Sequence, residues 1–148
     1  MSAPMNRRDF VHRLPVVSAV AWAGAATLPL AGCAGAAYLV PQESGGRLLV
    51  PTSALAEAGG VFVAVPGGDR PVYLHRTRGG VFVALLARCT HRGCQPEPVA
   101  DRLVCPCHGS EYDLDGNVLQ GPAERPLTRY DASVEGDHAV IWIRGRSG

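Results

Sequence analysis

Two short runs, Cys89-Thr90-His91-Arg92-Gly93-Cys94 and Cys105-Pro106-Cys107-His108-Gly109-Ser110, hold four of the five cysteines and two of the five histidines of this chain. Each run mixes thiol with imidazole, so the two together offer two cysteines and two histidines as metal ligands and leave a second cysteine pair over. That mixture points to an iron-sulfur cluster. Zinc takes the same residue types in tetrahedral sites, but zinc-finger spacing pairs Cys with Cys and His with His, whereas here each run contributes one of each. A plain scaffold of two disulfides among Cys89, Cys94, Cys105 and Cys107 would leave both histidines without a reason.

The two runs, C-x-H-x-G-C and C-P-C-H-G-S, resemble the ligand boxes of the Rieske [2Fe-2S] proteins. A Rieske centre replaces two cysteines by two histidines on one of its irons. The resemblance implies one such cluster, with Cys89 and Cys105 on one iron and His91 and His108 on the other, so that each box serves both irons. It also implies a disulfide between Cys94 and Cys107 tying the two loops together, a constraint worth roughly 3 kcal/mol in the chain-entropy model. Ser110 and Tyr112 stand where high-potential members of the family place a hydroxyl on a bridging sulfide and a phenol on the first cysteine sulfur, here Cys89. Hydrogen bonds to cluster sulfur stabilise the reduced state and raise the potential, towards the upper part of the roughly −150 to +300 mV Rieske range. Gly121-Pro122-Ala123 resembles the proline loop that covers the cluster from a third side.

The N-terminus carries a second message. Asn6-Arg7-Arg8-Asp9-Phe10-Val11 resembles a twin-arginine export signal and is followed by an uncharged apolar stretch from Val16 to Leu30. Leu30-Ala31-Gly32-Cys33 reads as a lipobox. Broken by Gly24 and Pro29, the apolar run is short for a spanning helix, so residues 1–32 are expected to be a signal and Cys33 a lipidated N-terminus that anchors the protein by acyl chains. The alternative is an uncleaved signal retained as an anchor helix, as in the Rieske subunits of the cytochrome bc1 and b6f complexes. Either reading puts the folded domain on the membrane facing the periplasm or cell exterior, and twin-arginine export would carry it folded, with its cluster loaded. A disulfide agrees with such an oxidising compartment.

After Cys33 the chain has 11 arginines against 12 acidic residues, a net of −1, and no lysine anywhere. That balance offers no field for nucleic acid. Residues 33–46, with Pro41, Ser44 and paired glycines, read as a flexible tether. Residues 47–146 read as one all-β domain: Val61–Val65, Val72–Leu74, Val81–Leu86 and Ala139–Ile143 are short β-rich runs between Gly, Pro and Asp turns. Turns are expected at Gly67-Gly68-Asp69 and Gly79-Gly80, and a hairpin at Asp115-Gly116-Asn117. Ser53–Ala58 suggests a helical turn. Gly-Val-Phe-Val-Ala occurs twice, at Gly60 and Gly80, and reads as two similar buried strands rather than a repeat. The resemblance implies an antiparallel Rieske β-sandwich with a small cluster-binding subdomain, about 88–126, inserted between strands of the base. His75, His138 and Trp142 read as surface, edge or half-buried sheet residues, and Glu111 as a solvated acid.

By resemblance, the two imidazoles couple electron transfer to protons near neutral pH, and in quinol-oxidising complexes one of them, here His91 or His108, contacts quinol. Those complexes place Leu after the first histidine, to pack an apolar pocket of cytochrome b. Here it is Arg92, a cation costly to desolvate there and better suited to an acidic patch on a redox partner. The expected function is electron transfer in a respiratory or photosynthetic chain, as a redox component rather than a stand-alone enzyme. Cytochrome b, a cytochrome c or a molybdenum subunit of the arsenite-oxidase kind are the candidate partners.

Overall fold

A computed structural model describes residues 37–56 and 59–143, whose regular structure is strand apart from a single helical turn. The twin-arginine run, the lipobox and Cys33 lie outside the described residues. Twelve strands and one helical turn follow in order: β1 Ala37–Leu39, β2 Gln42–Ser44, β3 Arg47–Pro51, α1 Ser53–Ala56, β4 Gly60–Val63, β5 Val72–Arg76, β6 Phe82–Leu86, β7 Glu97–Val99, β8 Arg102–Val104, β9 Glu111–Asp113, β10 Val118–Gln120, β11 Arg129–Glu135 and β12 His138–Trp142.

Eight strands form one curled sheet in the order β1-β4-β5-β6-β11-β12-β3-β2, and β10-β9-β8-β7 form a second. Every pairing is antiparallel except β1 with β4. β11 makes the curl: Arg129 and Tyr130 pair with β6, whereas Asp131–Glu135 pair with β12. The sheet thus folds over on itself, and Leu48 and Val50 of β3 with Ala139 and Ile141 of β12 meet Val61, Val63, Val72, Leu74, Phe82 and Ala84 in one buried core.

The opposite face of β4, β5 and β6 is also buried. Phe62, Tyr73, Val83 and Leu85 point away from the first core and pack with Leu103, Cys105, Tyr112, Ala123 and Leu127 of the small sheet and its loops. Side chains alternate across a strand, so strands buried on both faces carry no polar alternation, which is why these runs read as continuously apolar. The small sheet lies between β6 and β11 in the chain, and those two strands are neighbours in the base. It is an insertion at one edge-to-edge junction.

The stretch expected as a tether differs from that expectation over its described part. Leu39 packs on the first core, Tyr38 sits over Phe62 with ring centroids 5.0 Å apart, and the chain crosses at Val40-Pro41 to pair β2 with β3. The described part of that stretch supplies both end strands of the eight-stranded sheet, with Leu39 as the side chain packed on the core. His75 is corrected as well: it is buried, not a surface residue. The two expected early turns close through Gly68 N to Val65 O at 2.9 Å and Gly80 N to Thr77 O at 2.9 Å.

Candidate metal centre

Both boxes adopt the same backbone turn. In the first, the Gly93 amide donates to the Cys89 carbonyl at 2.7 Å and the Cys89 amide to the Cys94 carbonyl at 2.7 Å; in the second, Gly109 donates to Cys105 at 3.0 Å and Cys105 to Ser110 at 2.8 Å. The fifth position of each run must take a positive φ, +78° at Gly93 and +76° at Gly109, which glycine adopts at no steric cost. Each turn presents its first cysteine inward. The boxes differ in the histidine, third in one run and fourth in the other.

Cys89 and Cys105 are free thiols, both buried. The rings of His91 and His108 meet edge to face with centroids 4.7 Å apart. Cys94 and Cys107 are bonded to each other and staple one loop to the other. The sulfurs of Cys94, Cys105 and Cys107 lie within 4.8 Å of one another, but two of these form the disulfide and hold no thiolate. The available donors are therefore two thiols and two imidazoles.

The chemistry of that donor set fits a metal centre. Nδ1 of His91 is buried and has no hydrogen-bond partner among the described residues. A buried imidazole nitrogen needs one, and a metal ion would supply it. Burial pushes the Cys89 thiol up, but hydrogen bonds with Tyr112, the His91 backbone, Cys105 and Ser110 outweigh it and hold the group below its ordinary value. Cys105 is pushed up, by burial first and then by the neighbouring Cys89 sulfur, against hydrogen bonds from the Cys107 and His108 backbone. Two sulfurs this close do not share two negative charges without a cation between them.

Tyr112 closes the site from below. Its hydroxyl lies 3.2 Å from Cys89 Sγ. Burial, followed by the hydrogen bond to Cys89, raises the phenol, keeping it protonated and able to donate. Ser110 Oγ accepts from the Ala123 amide at 3.0 Å, a bond that orients the hydroxyl while leaving its own proton free. Gly121–Ala123 thus adjoins the second box through a defined contact. Gly121–Pro122 is a cis peptide.

Three features have little or no sequence signal. Thr90 lies between the two ligand candidates of the first box; its amide donates to the Tyr112 hydroxyl at 3.1 Å, and its hydroxyl donates to the Arg125 carbonyl at 2.6 Å. His75 reaches from β5 across the second core, and its Nε2–H donates to the Leu114 carbonyl at 2.7 Å. Glu111, read as a solvated acid, is ion-paired with Arg102 at 2.8 Å. His138 is partly exposed beside Asp137 at 2.6 Å, and Trp142 is half-buried.

Residues 48–131 match the sequence profile of the Rieske [2Fe-2S] domain. The cytochrome b6-f complex iron-sulfur subunit 2 of Nostoc sp. (strain PCC 7120) is 36% identical over 71% of this chain and 61% of that protein. The subunit of the same name from Trichormus variabilis is 34% identical over 97% of this chain and 86% of that protein. Among solved structures, the cyanobacterial plasma membrane Rieske protein PetC3 from Synechocystis PCC 6803 superposes with a TM-score of 0.58 at 35% identity, covering 64% of this chain and 97% of that one.

Proposed function

The chain belongs to the Rieske [2Fe-2S] domain family, whose cofactor is one [2Fe-2S] cluster, and on that footing we propose that it is a high-potential electron carrier exported to and tethered at a membrane. Cys89 and Cys105 would hold one iron, and His91 and His108 the other. The observation that carries this assignment is a pair of buried free thiols together with a buried Nδ1 of His91 that has no hydrogen-bond partner among the described residues. When bound, the cluster supplies a one-electron couple whose potential depends on the bonds made to its sulfurs.

The chain's own residues supply the tuning. Tyr112 donates towards Cys89 Sγ, and Ser110 has its proton free for a sulfur acceptor; both favour the form with more negative charge on sulfur and so raise the potential. With Nδ1 of His91 turned inward, Nε2 is the atom left to hold or release a proton, coupling reduction to pH. Tethering through a lipidated Cys33, after cleavage of a twin-arginine signal, accounts for the fifth cysteine. With β1 starting at Ala37, such a tether would be short.

A second reading, the Rieske subunit of a quinol-oxidising complex with cytochrome b, is favoured by the cytochrome b6-f relatives. Against it stands Arg92, exposed at the tip beside His91, where an apolar dock would have to desolvate a guanidinium.

The test is an EPR-monitored redox titration of the iron-loaded protein at several pH values. A Rieske spectrum with a potential in the upper part of roughly −150 to +300 mV, falling as pH rises, is the expected result. A pH-independent potential at the bottom of that range would remove Ser110, Tyr112 and the imidazole protons from the account.

A further inference from the structure

We propose that the side of the centre formed by the first box is an electrostatic docking surface for an acidic redox protein; the inference rests on the electron-carrier reading above and names its partner class. Beside His91 lies a cleft of about 380 Å³, lined by Arg88, Thr90, His91, Arg92 and Arg125 among others. Arg70 joins this group, its Nε donating to the Gly93 carbonyl at 2.9 Å. Arg70, Arg88 and Arg125 therefore flank a six-residue loop that itself carries Arg92.

Asp69 pairs with Arg88 at 3.6 Å, and Glu124 precedes Arg125 in an exposed segment. Among the described residues, Arg70, Arg92 and Arg125 form no ion pair. Of the other five described arginines, Arg47, Arg102 and Arg129 are ion-paired and Arg76 and Arg78 lie where β5 turns towards β6, so in a chain that is −1 after Cys33 this rim gathers three guanidiniums that no carboxylate pairs among the described residues. A cleft lined by one sign of charge concentrates an oppositely charged partner and raises its rate of encounter.

The position of the patch selects the occupant. It borders an imidazole of the proposed ligand pair, the place where an electron would have to leave or enter. An anionic lipid or a nucleic acid could be attracted to the arginines, but neither takes up the electron. A protein with a carboxylate-rich face around its own redox group does both, and complementary charge sets the on-rate and the orientation of such short-lived pairs.

Two readouts test this on the iron-loaded protein. In stopped flow, the reduced protein is oxidised by hexacyanoferrate(III), an anion, and by tris(phenanthroline)cobalt(III), a cation. The anion should react faster at low ionic strength and slow by about tenfold as salt rises, and the double variant Arg92→Gln/Arg125→Gln should lose most of that salt dependence. On a carboxylate cation-exchange matrix the wild type should be retained and the double variant should not. Arg47→Gln/Arg129→Gln removes the same charge from strands β3 and β11 and should leave both readouts as in the wild type. Equal effects of the two double variants, or an anion rate that salt does not slow, would overturn the docking surface while an intact Rieske EPR spectrum kept the carrier reading. Loss of that spectrum from the wild type would overturn both.

Discussion

Tyr112 has one proton and more than one claimant for it. Its hydroxyl receives the Thr90 amide at 3.1 Å and lies 3.2 Å from Cys89 Sγ and 3.1 Å from Thr90 Oγ1. Thr90 spends its own hydroxyl proton on the Arg125 carbonyl, so the phenol proton goes to Cys89 or to Thr90. A bond to a charged acceptor is the stronger, which favours the sulfur. Tyr112→Phe should lower the potential by on the order of 50 mV, the equivalent of about 1 kcal/mol for one electron; an unchanged value in the EPR titration would mean the phenol does not bond the sulfur. His75 makes a different kind of prediction. It is buried, and His75→Phe would leave the Leu114 carbonyl without its donor at a cost of about 1–3 kcal/mol, measurable by chemical denaturation. The ligand candidates were legible in sequence because their chemistry is carried by residue type and spacing within six positions. Burial of His75 was not, since it depends on which face of β5 meets the inserted sheet.

At the scale of elements, the hairpin from β9 to β10 is held by one carboxylate. Asp113 Oδ1 accepts from the amides of Asp115 at 3.0 Å and Asn117 at 2.8 Å, and Oδ2 accepts from the Asn117 side chain at 2.9 Å. Burial pushes this carboxyl up, but these bonds outweigh it and hold it below the usual aspartate range. A group with a lowered folded pKa adds stability that is fully present above its unfolded value, near pH 3.9, and lost as pH falls through the folded value. Asp113→Ala should therefore destabilise at neutral pH and show a shallower loss of stability on acidification, both read from denaturation curves at a series of pH values; parallel curves would sink the argument. The tight hairpin was visible in Asp115-Gly116-Asn117, whereas the anchoring role of Asp113 was not. The doubled pentapeptide shows why strands are easier to find than to orient. Phe62 of the first copy faces the inserted sheet, while Phe82 of the second faces the base core. Identical residues were turned to opposite faces by register alone.

Across the whole molecule, β4, β5 and β6 form a middle layer shared by two cores, and stability of the base and geometry of the centre are linked through it. Leu85 is fully buried on the side of the centre, and a Cβ added at Gly116 would lie 2.9 Å from its side chain. The hairpin thus packs directly on β6. Leu85→Ala should cost about 2–5 kcal/mol and shift or broaden the EPR spectrum of the loaded protein, since the same cluster of side chains holds Cys89, Cys105 and Tyr112. Loss of stability with an unaltered spectrum would show that the loops hold the centre without the layer beneath. Sequence alone pointed to the candidate donor set and determined the all-β class and the positions of the apolar strands, because each is written in residue types a few positions apart. Only the tertiary structure decided that the chain after Ala37 is sheet and not tether, that His75 is a strut and that four arginines gather beside His91. Those outcomes depend on burial and proximity between residues 20 or more positions apart in several cases, as with Arg70 and Gly93 at a separation of 23, and no local pattern records them.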